Sequence, residues 1–133
     1  MRKTLFALAM VAAFSVSAFG AHPSSILGTW TGFANQTAVQ LVIITQGTTG
    51  AACQTITGTF SNVPSGGASN IVGFYCPSTG RVAFVRNDIT TNDTFQSYSA
   101  NVSATGITLR MGGIFAQISP NAPLGEYNFA VSK

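Results

Sequence analysis

The chain has 133 residues, 46% of them hydrophobic and only 7% charged, with six Lys and Arg against three Asp and Glu. Apart from Arg2 and Lys3 the cations are scattered singly, whereas a nucleic-acid surface needs clustered ones to displace counterions from phosphates, so nucleic acid is excluded as a partner. Abundant apolar and β-branched residues exclude a disordered chain, and the length suits one domain with one modest core.

The first element is a leader. Arg2 and Lys3 precede the uncharged apolar run Leu5–Phe14, and Ala18-Phe19-Gly20 then offers small residues at the two positions a signal peptidase inspects. The run is too short to span a bilayer. Residues 1–20 therefore read as a secretory signal peptide, and 21–133 as a single exported domain, secreted or periplasmic. Cleavage leaves Arg81, Arg86, Arg110 and Lys133 against Asp88, Asp93 and Glu126, a nearly neutral protein.

Eight short β-type runs follow, separated by Gly, Pro, Asn and Ser clusters: Ile26–Phe33, Ala38–Gln46, Ala51–Ser61, Ser69–Cys76, Arg81–Asn87, Asp93–Ser103, Ile107–Ser119 and Gly125–Ser132. No window shows a helical period, and the spacing predicts an all-β sandwich or up-and-down barrel. In the third run Ile56, Gly58 and Phe60 fall on one face and Thr55, Thr57 and Thr59 on the other, the two-residue period of a half-buried strand. Tyr127, Phe129 and Val131 alternate in the same way with Asn128, Ala130 and Ser132 in the last run.

Cys53 and Cys76 are the only cysteines, and in an exported chain an isolated pair predicts one disulfide. A hairpin of the third and fourth runs centred between Pro64 and Ser65 places the two cysteines directly opposite each other, at a separation a disulfide can bridge. The same register sets Ile56 against Gly73 and Gly58 against Ile71. Val72 and Phe74 then point outward, as a subunit contact or beneath a covering loop.

Chemistry-bearing residues are few. His22 is the only histidine and sits in a flexible stretch at the mature N-terminus, so neither a catalytic triad nor a metal site can be assembled around it. No enzyme activity, metal or cofactor is expected. Arg86 and Asp93 flank the turn Asn87–Asn92, and alternation through Val82, Phe84, Arg86 and through Asp93, Phe95, Ser97 aims both inward. Such a pair either closes the end of a barrel or offers a ligand a polar group.

Gly28-Thr29-Trp30 at the first strand resembles the G-x-W signature of the calycin barrels, which include lipocalins and avidins. The mature length suits an avidin. Ile56-Thr57-Gly58-Thr59-Phe60 resembles the avidin TGTY strand, Val82-Ala83-Phe84-Val85-Arg86 the fifth strand, and Gly125-Glu126-Tyr127-Asn128-Phe129 the last. The resemblance covers most of residues 26–132 and implies an antiparallel eight-stranded up-and-down barrel, with Trp30 packed into one end and biotin as first candidate ligand. Carried over position by position, the polar residues of the first loop fall on Gly32 and Gln36. The TGTY tyrosine becomes Phe60, and the serine of the following loop becomes Asn62. Two tryptophan walls become Arg86 and Phe95, a third falls near Met111, and the terminal-strand aspartate falls on Tyr127. A ureido ring buried without its partners is costly, so biotin binding is expected to be weak or replaced by another ligand.

Two functions are thus expected in the alternative. One is a ligand-binding barrel using Gln36, Asn62, Arg86, Asp93, Phe95 and Tyr127. The other is a secreted interaction protein, an inhibitor or surface antigen, whose barrel is filled by Phe60, Phe84, Phe95, Met111 and Phe129. The Thr and Ser faces argue against an outer-membrane barrel with its outward apolar band.

Overall fold

A computed structural model of the chain describes residues 22–48, 51–64, 66–86, 95–120 and 124–133. The leader, Asp88 and Asp93 lie outside these residues. The described residues form eight strands: β1 (Gly28–Ala34), β2 (Thr37–Gln46), β3 (Gln54–Asn62), β4 (Ser69–Cys76), β5 (Arg81–Arg86), β6 (Phe95–Thr105), β7 (Thr108–Ile118) and β8 (Gly125–Ser132). Each pairs antiparallel with the next, and β8 returns to β1, so the sheet closes on itself as an up-and-down barrel without a free edge.

Strand formation follows the two-residue period. Val39, Leu41 and Ile43 of β2, Ile56 and Phe60 of β3, and Phe129 and Val131 of β8 are buried inside, while the threonines of β3 and the polar residues of β8 face out. The β3–β4 register is the expected one: Ile56 pairs with Gly73, Gly58 with Ile71, and Gln54 with Tyr75. One step beyond, Cys53 and Cys76 form a disulfide with their Cα atoms 4.0 Å apart. Gly58 and Gly73 are required by close approach, since a Cβ would collide with the Val42 carbonyl at the first and the Ala83 carbonyl at the second.

A β-bulge between Ile43 and Thr45 changes the inward parity of β2. Ile44 is thereby turned out, and Gln46 falls opposite Ile56, on the inner face. There it organises the end of the barrel. Its side-chain oxygen accepts from the Ile26 amide (2.9 Å), and its amide nitrogen donates to the Ser24 carbonyl (2.8 Å) and to Gln54 Oε1 (2.5 Å).

The segment His22–Leu27 is thus a strap across one end of the barrel. This corrects two sequence expectations: Ile26 is not part of the first strand, and His22 is not in a flexible leader. His22 Nδ1 donates to the Val102 carbonyl at 2.9 Å, the Tyr75 hydroxyl donates to the Pro23 carbonyl, and Lys133 Nζ donates to the Leu27 carbonyl. Ile26 itself is fully buried. Beneath the strap, Trp30 is also fully buried and its indole N–H donates to the Ile26 carbonyl at 2.9 Å. Packed side chains close this end.

Barrel strands are tilted, so residues at one hydrogen-bonded level climb from end to end as the register is followed round the wall. The level beginning at Gly28 at the closed end passes through Ile43, Gly58 and Ile71 and reaches Arg86; Gln117 and Gly125 pair at the opposite mouth. One level deeper run Phe84, Tyr98, Phe115 and Tyr127, direct cross-strand neighbours on β5 to β8. Their rings follow one another at centroid distances of 4.6, 5.0 and 5.3 Å. This aromatic ladder is the ceiling of the filled core and the floor of the mouth.

Candidate functional site

The open mouth is bounded by the β1–β2 turn, the β3–β4 connection and the strand ends of β5 to β8. Its centre is Arg86, the last described residue of β5. One guanidinium nitrogen donates to Gln96 Oε1 (2.9 Å) and the other to Ser69 Oγ (2.5 Å), and the group lies 5.3 Å from the centre of the Phe60 ring. Gln96 Oε1 also accepts from the Tyr98 hydroxyl (3.0 Å), while Gln96 Nε2 donates to Gln117 Oε1 (2.6 Å). A polar chain therefore crosses the mouth from β4 to β7 with one residue on each strand. Burial raises the Tyr98 phenol well above its ordinary range, opposed in part by the Arg86 charge, so Tyr98 stays protonated and keeps donating at neutral pH.

Beside this chain lies a cavity of about 450 Å³. Asn35, Thr37, Asn62, Gln117 and Tyr127 border it with Arg86, and Phe60, Tyr98 and Phe115 contribute its aromatic lining. Converging polar groups above an apolar floor are the composition of a small-molecule site. A larger concavity, about 960 Å³, lies against the wall formed by β1, β2, β7 and β8, with Phe33, Val63, Gly112 and Ala130 beside Arg110. Polar side chains such as Gln40, Asn101 and Arg110 also reach it, but its exposed lining is mainly apolar, whereas polar groups make up most of the mouth's, so the smaller cavity is the candidate site.

Of the residues expected to bind a ligand, Asn62, Arg86 and Tyr127 are brought together at this cavity. Gln36 is exposed in the β1–β2 turn and does not line it. Its neighbour Asn35 does, held at φ 54°, a left-handed conformation that asparagine tolerates, with its amide donating to the Asn128 carbonyl at 2.7 Å. Phe95 is 42% exposed and faces outward, contrary to expectation. The β5–β6 register pairs Phe84 with Tyr98 and Val82 with Ala100, so the even-numbered residues of β6 point in and Gln96 takes the inward place beside Arg86. Asp93, the expected partner of Arg86, lies outside the described residues. Met111 is buried in the core below the mouth.

Asn35, Thr37, Ser69, Gln96, Tyr98, Phe115 and Gln117 are site residues that sequence reasoning missed. For the two glutamines a signal existed. Stepping by two from the apolar set Val102, Ala100, Tyr98 reaches Gln96, and from Met111, Gly113, Phe115 it reaches Gln117.

Val72 and Phe74 do face outward, and they begin two levels that continue across the outer wall. Val72 is followed by Val85, Ser97 and Ala116, and Phe74 by Ala83, Ser99 and Ile114. Phe95 pairs with Ile118 at the edge of the same stripe. Its charged boundary is Arg81, which donates to Ser99 Oγ at 2.8 Å.

Among the described residues no three His, Cys, Asp or Glu side chains are grouped as a metal site would require. Neither a family model, a curated protein nor a solved structure matches the chain.

Proposed function

We propose that this is an exported, non-catalytic binding protein that takes a small molecule at the open mouth of its barrel, with biotin or a related compound as the first candidate. The observation that carries the proposal is the cavity in which Arg86, Asn62, Asn35, Gln117 and Tyr127 converge over Phe60, Tyr98 and Phe115. A barrel serving only as a rigid support for an interaction surface has no need of such a cavity. The filled lower barrel fits that rival reading, but the mouth does not. Export is supported by the leader pattern in residues 1–20 and by the Cys53–Cys76 disulfide, a bond that persists in oxidising compartments. The avidin resemblance belongs to the same proposal. It rests on the segments around Trp30, Phe60, Arg86 and Tyr127.

Calorimetry and thermal unfolding with millimolar biotin test the candidate ligand. Ligand at about a hundred times its Kd stabilises the folded state by about 2.7 kcal/mol, enough to move a domain of this size by several degrees. The absence of both binding heat and a Tm shift at that concentration would remove biotin as the candidate.

The proposal includes a second copy of the chain as partner of the outer stripe. Phe74 and Ile114 stand on either side of the small residues Ala83 and Ser99 at one level, so a two-fold contact can set the large side chains of each copy over the small ones of the other. Sedimentation should show a dimer that F74T/I114T converts to a monomer. A wild-type protein that is monomeric throughout the tested concentrations would sink this part.

A further inference from the structure

We infer that the mouth is built for a monoanionic carboxylate carried on a flat, aromatic-sized body, with Arg86 as the group that holds the carboxylate. The inference rests on the small-ligand proposal and names the ligand class of that same site.

Arg86 is a cation at the lip of a low-dielectric core, and among the described residues it is met by neutral groups: the Gln96 carboxamide, the Ser69 hydroxyl and the face of Phe60. Glu126 is the only side-chain carboxylate among the described residues, and it is exposed on the outer wall. Neutral acceptors orient a guanidinium without cancelling its charge, and a cation near apolar surface attracts an anion more strongly than one in open water. The two side-chain hydrogen bonds use two of the five N–H donors of arginine and hold the fork in place, so little ordering remains to be done when an anion arrives.

The stoichiometry of charge selects the anion. A single guanidinium among carboxamides and hydroxyls matches one negative charge, and its planar fork matches the two oxygens of a carboxylate. A phosphate dianion would call for a second cation, and among the described residues lining the cavity there is none. The shape of the rest of the ligand is set by the aromatic lining. Phe60, Tyr98, Phe115 and Tyr127 offer ring faces and edges to a flat apolar body, and about 450 Å³ lies within the range of sites that take drug-sized molecules.

The test is calorimetric titration of the purified protein with naphthoate, with the neutral isostere naphthamide, and with naphthyl phosphate. Naphthoate should bind about tenfold or more tightly than naphthamide, as expected for one charge-assisted contact, and R86M should abolish the difference. The wild-type comparison stands even if R86M does not fold. Equal affinity for naphthoate and naphthamide overturns the carboxylate assignment but leaves a small-ligand site. Tighter binding of naphthyl phosphate overturns the choice of anion. Failure of all three probes to bind in the millimolar range counts against both the inference and the parent proposal. If naphthoate binds to D93N but not to wild type, Arg86 is already neutralised within the chain, and the inference fails.

Discussion

Trp30→Ala is expected to lower the unfolding free energy by about 3–5 kcal/mol, the usual range for emptying a buried aromatic site. That is a large fraction of the 5–15 kcal/mol that typically holds a domain together. The size of the effect follows from what rests on the indole. Trp30 is fully buried at the closed end, its ring lies beneath Lys133 Nζ at 5.4 Å, and its N–H satisfies the carbonyl of Ile26 in the strap. Removing the ring opens a void that the closed sheet cannot collapse to fill, because its strands are paired on both sides. It also leaves a buried carbonyl without its donor. Trp30→Phe separates these effects, keeping much of the volume while losing the hydrogen bond, and should cost about 1–3 kcal/mol. Urea unfolding of both variants measures them, and a loss below about 1 kcal/mol for Trp30→Ala would show that the strap and indole do not close the barrel as described.

The second large effect is expected at the disulfide. Replacing both cysteines by serine should cost about 3 kcal/mol, the loop-closure entropy of a cross-link spanning 23 residues of sequence. The bridge lies one step past the Gln54–Tyr75 pair, in a register already determined by large-against-small pairing of Ile56 with Gly73 and Ile71 with Gly58. The doubly substituted protein should therefore keep the far-ultraviolet circular dichroism of the parent while its denaturation midpoint falls. An unchanged midpoint would refute the assignment of a stabilising bridge, and a changed spectrum would show that the bridge sets the register instead of fastening it.

The barrel was legible because its strands are amphipathic with period two and its connections carry turn residues. β8 was bounded correctly at both ends, and β3 to within a few residues. The β3–β4 register was legible because two independent features, the cysteines and the alternation of large with small residues, demanded the same hairpin. No comparable pair existed for β5 and β6. Their connection is long enough to permit several registers, and the alternation Asp93, Phe95, Ser97 opposite Arg86 suits an inward face as well as the observed one, in which Tyr98 and Ala100 fill the core. The mouth suffered most from that one-residue error, since a strand slipped by one residue exchanges its two faces. It replaced Gln96 by Phe95 and hid the polar chain from Ser69 to Gln117. The bulge in β2 was illegible for a related reason: Ile43, Ile44 and Thr45 suit either face of a sheet, and only the need for Gln46 to meet Ser24, Ile26 and Gln54 breaks the tie.

The strap bears on how the protein can be held. His22 and Lys133 both lie at the closed end, joined there to Val102 and to Leu27, while the cavity opens between the opposite strand ends. Anything attached ahead of His22 or beyond Lys133 starts out on the far side of the barrel from the mouth. A copy fixed to a bead, a sensor chip or a cell envelope by either route would face its opening to the solution, like a cup set down on its base.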